Sequence, residues 1–315
     1  SSGTTGKPVI IPYTAKDVDD WATMFARCYE TAGITKKDHI QITPGYGLWT
    51  AGIGFQLGCE KLGAMAIPMG PGNTDKQLQM MVDLQSTVIT ATSSYALLLS
   101  EEIEKRGLKD KIRLKKGVIG SERWSDKMRK SIRDGLGIEL FDIYGLTEIY
   151  GPGIGINCPG ESAIHYWDDY IYIEIIDPKT EEVLPPGEKG ELVVTCLGKE
   201  ALPLVRYRTG DLTRLFYEPC KCGRTTVRME NLSGRADDML VIRGVNVFPT
   251  QIEEVMLQIP EIGPHYEIVV ERKNRLDVMT ITVELVDDRL LDSYSKLSEL
   301  EQRIKKGLKA QLGLA

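Results

Sequence analysis

The sequence has few cysteines, few histidines and no long apolar run. The 315 residues include six cysteines and three histidines. Six cysteines are too few, in a chain of this length, for the disulfide scaffold of a small secreted domain. No stretch approaches the roughly 18 consecutive apolar residues of a membrane-spanning helix. The chain also lacks the basic segment and apolar core of a signal peptide. These absences predict a cytoplasmic protein with no membrane partner.

Excess positive charge is absent too. The 45 acidic residues outnumber the 39 Lys and Arg residues and leave a net charge of −6, which argues against a broad nucleic-acid-binding surface. The length suffices for one large domain and a small one. The composition therefore predicts small-molecule partners and no nucleic acid, with a homodimer as an open alternative.

Helical and strand patterns alternate through the first half of the chain. Apolar residues recur with helical spacing from Val18 to Tyr29, behind aspartates at 17, 19 and 20 that favour a helix start. The strands expected next are 39–43, 64–68, 87–90, 117–120 and 139–143, and the helices are 52–62, 75–84, 95–106 and 124–135. From residue 170, runs such as 170–176 and 191–195 alternate with period two. The predicted fold class is α/β: a parallel sheet with flanking helices, joined to a β region that is an antiparallel sheet or a small barrel.

Four segments carry residue types that bind nucleotides. Residues 1–8 read Ser-Ser-Gly-Thr-Thr-Gly-Lys-Pro, in which glycines let the backbone approach a ligand and hydroxyls and N–H groups donate to phosphate. Their spacing is not that of a P-loop, and a flexible polar terminus is the alternative. The other segments fall at strand ends, where open α/β sheets bind ligands, although each alone is also typical of a turn: 142–148, 207–211 and 234–249.

In this order, the four segments resemble those of the adenylate-forming superfamily of acyl-CoA synthetases, adenylation domains and luciferases. The amino-acid sequences of segments 174–178, 199–203 and 243–253 are similar, more specifically, to those of the phenylacetate-coenzyme A ligases. The resemblance implies the adenylate-forming fold. It divides the chain into a core for ATP and the acyl group, 1–235, and a small, mobile α+β lid domain, 236–315.

The resemblance also implies an acid–thiol ligase that works in two steps. An aryl acetate, with phenylacetate as the first candidate, attacks the α-phosphorus of ATP to form an acyl-adenylate and pyrophosphate. The thiol of coenzyme A then displaces AMP. Such chemistry depends on positioning and charge neutralisation, and the implied cofactors are ATP or AMP, Mg²⁺ and coenzyme A.

Individual roles follow from the same resemblance. Thr147 matches the residue that bonds the AMP phosphate, and Glu148 matches the magnesium ligand. The residues that match the loop on the β- and γ-phosphates are Ser1, Ser2, Thr4, Thr5 and Lys7, with Lys7 counted as catalytic beside Thr147 and Glu148. The remaining nucleotide contacts implied are Ser121 and Glu122 in the adenine-side loop, Asp142, Tyr144 packing on adenine, Asp211 on the ribose, and Arg235.

Three further features are implied outside the nucleotide contacts. Tyr46 and Gly47 match the lining of the acyl pocket, with plain core as the alternative for Tyr46. Asp237 matches the hinge about which the lid domain rotates between the two steps. Gly244 lies in the loop that the superfamily uses beside the coenzyme A thiol.

The ends of the chain carry two more expectations. The superfamily's adenylating lysine, which follows a Pro-x-x-x-x-Gly pattern, has no match before Ala315, and Lys305, Lys306 and Lys309 are expected on a solvated helix face. The first residue already falls inside the phosphate segment. The expectation is therefore a fragment of a longer enzyme, with a non-catalytic nucleotide-binding relative as the alternative. Acyl transfer to a carrier protein would need a carrier domain.

A separate set of residues has the chemistry of a metal site. Cys158, His165, Cys220 and Cys222 offer three thiolates and one imidazole, a soft ligand set suited to tetrahedral zinc. The single residue between Cys220 and Cys222 is tighter than the usual spacing, and ordinary free thiols are the alternative. Because protein would occupy all four positions, the expected zinc is structural. The other cysteines, at 28, 59 and 196, are expected in the core.

Overall fold

A computed structural model describes residues 10–47, 50–121, 124, 126–236, 240–242, 245–247, 249–273 and 276–312. The chain separates into two units. The first comprises Ser1–Trp124, Arg129–Thr209 and Thr213–Leu232, and the second comprises Ser125–Met128, Gly210–Leu212 and Ser233–Ala315. Among the described helices, none is long and apolar enough to cross a membrane.

Helices and strands alternate first, and strands dominate afterwards. The alternating elements are α1 (Ala15–Thr31), β1 (His39–Ile42), α2 (Thr50–Leu62), β2 (Met65–Pro68), α3 (Thr74–Asp83), β3 (Val88–Thr92), α4 (Ser93–Lys105), β4 (Lys116–Gly120), α5 (Asp126–Leu136) and β5 (Glu139–Leu146). The strands that follow are β6 (Gly151–Asn157), β7 (Ile164–Tyr166), β8 (Ile171–Ile176), β9 (Gly190–Cys196), β10 (Tyr207–Thr213), β11 (Leu215–Phe216) and β12 (Arg228–Met229). The last elements are β13 (Gly234–Arg235), β14 (Leu240–Ile242), β15 (Val245–Val247), α6 (Pro249–Leu257), β16 (Ile262–Lys273), β17 (Leu276–Leu285), a 3-10 helix (Asp288–Asp292) and α7 (Tyr294–Leu312).

Helix α1 supplies the centre of the first unit's core. Its start is a capping box, because the Asp17 N–H donates to the Thr14 hydroxyl and the Thr14 N–H donates to the Asp17 carboxylate. One face of the helix is buried and carries Trp21 and Phe25. A Cβ on Gly54 of α2 would lie 2.3 Å from the Trp21 ring, so this glycine lets the two helices approach closely.

The main sheet has the strand order β11-β12-β7-β6-β5-β4-β3-β1-β2. Strands β1 to β5 pair in parallel, which confirms the predicted parallel sheet. Strand β6 pairs antiparallel with β5, because only a turn at 147–150, here called the β5–β6 turn, separates them. The sequence pattern did not predict β6, since glycines interrupt its apolar alternation. Gly151 and Gly153, with φ of +91° and +99°, pack against Trp21 and Phe25.

Antiparallel pairing continues after residue 170, as the period-two pattern predicts. Strands β8 and β9 pair from Ile171 with Cys196 to Ile176 with Glu191, and β9 lies between β8 and β10. Two segments expected as loops at strand ends lie mostly within strands, since β5 continues beyond the predicted 139–143 to Leu146 and 207–211 belongs to β10. Only the last two residues of segment 142–148 therefore emerge from the sheet.

The second unit has its own core. Asp211 and Leu212 of β10 pair with Arg235 and Gly234 of β13, while β14–β15 and β16–β17 form two antiparallel hairpins. The buried residues of its core are Val247, Ile252, Met256, Ile259, Ile262, Leu300 and Leu312. The three lysines of α7, at 305, 306 and 309, are exposed, which confirms the predicted solvated face.

Candidate functional site

Thr147 and Glu148 lie in the β5–β6 turn, at the carboxyl end of the parallel strands. Both residues are half-buried. The Ile149 N–H donates to the Leu146 carbonyl at 3.1 Å and closes the turn. Among the described residues, neither the Thr147 hydroxyl nor the Glu148 carboxylate has a hydrogen-bond partner. This turn therefore presents a hydroxyl and a carboxylate at the sheet edge where α/β proteins bind ligands.

Asp142 lies four residues before the end of β5, and its carboxylate is hydrogen-bonded to other side chains of the protein. Its Oδ2 accepts from Trp124 Nε1 at 3.0 Å and from Arg129 Nη2 at 2.9 Å, and the Arg129 guanidinium stands 4.0 Å over the Trp124 ring. Burial raises the pKa of Asp142, while Arg129 and the Trp124 bond oppose that rise. Asn157 Oδ1 accepts from the Asp142 N–H at 2.6 Å. Sequence reasoning missed Trp124, Arg129 and Asn157, because no local motif marks residues that meet only across neighbouring elements.

Ser121 and Tyr144 lie at the ends of neighbouring strands. Tyr144 of β5 is 7% exposed and pairs with Gly155 of β6. Ser121 directly follows β4, is exposed and has a φ of +69°. A non-glycine residue in this left-handed region carries roughly 1–3 kcal/mol of strain, and such strain clusters where backbone meets ligands.

The predicted ribose ligand Asp211 and the predicted nucleotide contact Arg235 meet in the second unit. They face each other across β10 and β13, with Arg235 Nη1 3.3 Å from Asp211 Oδ1. The Asp211 side chain is 5% exposed, whereas that of Arg235 is 37% exposed. The Ala236 N–H donates to the Gly210 carbonyl at 2.6 Å and holds the two strands together beside this pair.

Tyr46 has a shielded hydroxyl without a hydrogen-bond partner among the described residues. Burial, and then the charges of Cys59 and Glu60, raise the pKa of Tyr46 to about 12. The ring packs near Gly52, where a Cβ would lie 2.8 Å from it. Gly47 follows with a φ of +80° and open space around it. The Tyr46 ring, next to the open space at Gly47, is suited to a pocket wall.

Eight of the predicted site residues lie outside the described residues. They are Ser1, Ser2, Thr4, Thr5, Lys7, Glu122, Asp237 and Gly244. Their roles stay predictions from the resemblance.

The four predicted zinc ligands come together in the first unit. Their ligand atoms all lie within 4.8 Å of one another, and all but Cys222 are buried. Cys158 Sγ is 3.6 Å from Cys220 Sγ, and Cys222 Sγ is 3.5 Å from His165 Nε2. The narrow Cys-x-Cys spacing is possible because the chain turns at residue 223, where the Gly223 N–H donates to the Cys220 carbonyl at 2.9 Å. Residues from three separate segments thus form one cluster.

The electrostatics of this cluster fit a metal. Burial, followed by the charges of Arg224 and Arg228, lowers the pKa of His165 to about 4, so its imidazole is neutral near pH 7. His165 Nδ1 is 2.8 Å from Thr226 Oγ1, which leaves Nε2 to face the sulfurs. Burial raises the pKa of the Cys158 thiol to about 12. Burial also acts to raise the pKa of Cys222, but hydrogen bonds with Arg224, Cys220 and Cys158 outweigh it and lower that pKa to about 7. Sequence reasoning missed Thr226, which no ligand pattern marks.

The other cysteines lie where the sequence predicts. Cys28, Cys59 and Cys196 are buried in the core of the first unit. All six cysteines of the chain are free of disulfides.

Two family models match the sequence. The AMP-binding enzyme model matches residues 1–196, and the AMP-binding enzyme C-terminal domain model matches residues 244–315. The phenylacetate-coenzyme A ligase of Pseudomonas putida is 47% identical over 97% of this chain and 70% of its own length. Those of Thermus thermophilus and Escherichia coli are each 44% identical over all of this chain, and over 74% and 72% of their own lengths.

Two solved structures of an acyl-CoA ligase have the same fold. A crystal structure of 2-hydroxyisobutyryl-CoA ligase in the postadenylation state, in complex with 2-HIB-AMP, has a TM-score of 0.88 at 26% identity and covers 99% of this chain and 67% of its own. A structure of that ligase with R3-HIB-AMP has a TM-score of 0.86 at 25% identity and covers 96% of this chain and 66% of its own. This chain therefore spans about two thirds of the length of those ligases.

Proposed function

This chain belongs to the AMP-binding enzyme family and, within it, to the phenylacetate-coenzyme A ligases, and we propose that it joins phenylacetate to coenzyme A with ATP as the second substrate. The reaction forms an acyl-adenylate with release of pyrophosphate, and coenzyme A then displaces AMP. The observation that carries the proposal is 42–47% identity to four phenylacetate-coenzyme A ligases over at least 97% of the chain. The adenylate-forming α/β fold is the same as that of the solved ligases. A non-catalytic relative is not favoured.

In this proposal the β5–β6 turn binds the triphosphate. The Thr147 hydroxyl donates to an oxygen of the α-phosphate, which gathers negative charge when the carboxylate attacks. The Glu148 carboxylate would hold Mg²⁺, which prefers hard oxygen ligands and neutralises phosphate charge. The absence of protein hydrogen bonds to either side chain, within the described part of the chain, supports this assignment.

The sugar and base contacts follow from the remaining polar groups. The Asp211 carboxylate accepts from the ribose hydroxyls, and Arg235, held 3.3 Å from it, orients that carboxylate and contacts the nucleotide. Tyr144 and Ser121 flank the base. Asp142 contributes indirectly, by accepting hydrogen bonds from the side chains of Trp124 and Arg129 and so positioning them.

The acyl group and coenzyme A take separate places. The ring of Tyr46 forms a wall of the acyl pocket beside Gly47, and its spare hydroxyl is a donor toward that pocket. The resemblance assigns Asp237 as the hinge of a lid domain, 236–315, and assigns Gly244 to the loop that serves the coenzyme A thiol. The phosphate segment, with Lys7, covers the β- and γ-phosphates.

The substrate proposal is tested by acid-dependent AMP release. The full chain is assayed with ATP, coenzyme A and either phenylacetate or 2-hydroxyisobutyrate, the acid named for the solved relative. We expect kcat/KM for phenylacetate to be at least about 100-fold higher, because a pocket built for an aromatic ring binds a small hydroxy acid poorly. A preference for another acid would overturn phenylacetate alone. No thioester with any acid, supplied either with ATP or as its acyl-adenylate, would overturn the ligase proposal.

The Cys/His cluster is a structural zinc site in this proposal. Three sulfurs and a neutral imidazole nitrogen within 4.8 Å of one another match the tetrahedral ligand set of zinc. Thr226 holds the imidazole so that Nε2 faces the sulfurs.

The cysteines, none of which forms a disulfide, also favour a reducing compartment, which is why we place the chain in the cytoplasm.

A further inference from the structure

A buried lysine lies directly behind the β5–β6 turn. Lys199 is 4% exposed, and its Nζ donates to the carbonyl of Ile149. The ammonium also lies 4.7 Å from the centre of the Tyr13 ring and 5.3 Å from that of the Tyr150 ring. Burying a cation costs free energy unless other groups compensate its charge. Here a hydrogen bond to one carbonyl and cation–π contacts with two aromatic rings compensate it.

The ammonium holds the turn at the residue after the proposed magnesium ligand. The Ile149 carbonyl immediately follows Glu148 along the chain, and the next carbonyl, that of Tyr150, accepts from the Tyr13 hydroxyl at 3.2 Å. Lys199 and Tyr13 therefore tie two successive backbone carbonyls. Ile149 and Tyr150 are themselves fully buried, so the far half of the turn is immobilised while Thr147 and Glu148 stay accessible.

The lysine is in turn anchored to the core through Asp17. The Asp17 carboxylate is fully buried and accepts from the N–H groups of Glu200 and Ala201 at 2.8 and 2.9 Å. These donors directly follow Lys199, so the start of α1 fixes the segment that carries the ammonium. Burial lowers the pKa of Lys199, and the nearby Asp17 carboxylate opposes that fall. Burial, and then the charges of Asp17 and Glu148, raise the pKa of Tyr13 to about 12.

We propose that Lys199 is a positioning residue for acyl-adenylate formation: its ammonium fixes the backbone of the β5–β6 turn so that the Glu148 carboxylate is aimed at the magnesium ion of ATP. This inference rests on the proposed function. Lys199 does not touch the substrate. Its contribution is geometric, because a displacement of about 1 Å at a reacting centre costs about 100-fold in rate.

The test separates the two half-reactions. Lys199→Met keeps an unbranched side chain one atom shorter and removes the ammonium. We expect phenylacetate-dependent pyrophosphate release to fall by about 10- to 100-fold, and the Mg²⁺ concentration for half-maximal rate to rise at least about fivefold. Thioester formation from supplied phenylacetyl-AMP and coenzyme A needs no metal-bound ATP, and we expect it to change less than about threefold.

A matched control uses another lysine with the same kind of contacts. Lys116 Nζ donates to the carbonyls of Ala32 and Gly33 at 2.5 and 2.7 Å and lies 5.9 Å from the centre of the Phe141 ring. It ties the end of α1 and not the β5–β6 turn. We expect Lys116→Met to lower the melting temperature and to leave the Mg²⁺ requirement unchanged.

Equal loss in both half-reactions with an unchanged Mg²⁺ requirement would reduce Lys199 to a structural role and overturn the inference. Should Lys199→Met not fold, Tyr13→Phe decides, since it removes one tie and keeps the ring under the ammonium. An Mg²⁺ requirement at the wild-type value in that variant overturns the inference, and a rise supports it. A wild-type chain inactive in both half-reactions contradicts the proposed function instead. Calorimetry of Mg·ATP binding to wild type and Lys199→Met then tests the inference, and equal affinities overturn it.

Discussion

The β5–β6 turn and the Cys/His cluster differ in how their polar groups are satisfied. Within the described part of the chain, Thr147 and Glu148 have no hydrogen-bond partners, and protein contacts hold only the backbone beyond them. In the cluster, by contrast, the sulfur and nitrogen atoms of Cys158, His165, Cys220 and Cys222 face one another. In the proposed function the turn directs its side chains toward a ligand that exchanges, whereas the atoms of the cluster converge on one enclosed point.

This difference separates a site for turnover from a site for stability. A group that must bind and release substrate gains from being held by its backbone, because its side-chain atoms stay available. Ligands of a structural ion gain from enclosure, because binding free energy then adds to folding free energy. Changes in the turn should therefore alter rates with little effect on stability, and changes in the cluster should do the opposite.

Loss of the Glu148 charge should have the largest effect. Glu148→Gln should slow pyrophosphate release by about 10²- to 10³-fold, as the loss of one transition-state charge contact does, and should leave the melting temperature within about 2 °C. Steady-state kinetics and calorimetric melting measure the two quantities. A large drop in melting temperature would show that Glu148 serves the fold, and would remove the contrast with the cluster.

Loss of a cluster ligand should lower stability. Protein purified without added metal should contain close to one zinc per chain, and Cys222→Ser should remove it and destabilise the protein by about 3 kcal/mol, or about 6–12 °C. Elemental analysis and melting curves provide the readouts. Cys196→Ser, a buried thiol outside the cluster, is the control and should retain the metal. Metal-free wild type would show that the four residues are ordinary thiols and a core histidine.

The Asp211–Arg235 pair sharpens the comparison, because it combines a buried carboxylate with a half-exposed partner. Asp211→Ala should weaken AMP binding by about 1–3 kcal/mol, since charge-assisted bonds to ribose are lost. Calorimetric titration with AMP measures this. Affinity equal to wild type would contradict the ribose assignment.

Asp17 should have the smallest effect, and one that depends on pH. Burial acts to raise its pKa, but N–H groups of Thr14, Glu200 and Ala201, with the charge of Lys199, outweigh burial and lower the pKa below its ordinary value. A lowered carboxyl pKa adds stability above about pH 4, and this stability is lost as pH falls through the folded-state pKa. Asp17→Asn should cost about 1–2 kcal/mol at pH 7 and less at pH 3. Urea unfolding at both pH values checks this, and equal losses would contradict it.

Much of the first unit could be predicted from residue pattern. The stripe from Val18 to Tyr29 required helix α1, and the strands β1 to β5 followed from short apolar runs between helical periods. Strand β6 could not be predicted, because Gly151 and Gly153 interrupt its alternation of apolar and polar residues. These glycines let β6 pack against the aromatic rings of α1. The segment around Asp211 was expected as a loop, yet it lies within β10, and β5 runs three residues beyond its predicted end at 143.

For the candidate sites the division is similar. Ligand chemistry alone selected Cys158, His165, Cys220 and Cys222, and resemblance selected Thr147, Glu148, Asp211 and Arg235. Their supporting residues carry no local signal. Trp124, Arg129 and Asn157 meet Asp142 from 13 to 18 residues away, and Lys199 reaches Ile149 from 50 residues away.

The sequence by itself determined the alternation of helices and strands, the family, and the identity of the groups able to bind phosphate and metal, because periodicity and side-chain chemistry are local properties. Only the tertiary structure decided which of these groups are hydrogen-bonded to other residues of the protein and which are left for a ligand. That outcome depends on which distant side chains and carbonyls burial brings together. A lysine such as Lys199 looks like any surface cation in the sequence, and its place between two tyrosines and a buried aspartate exists only once the core has formed.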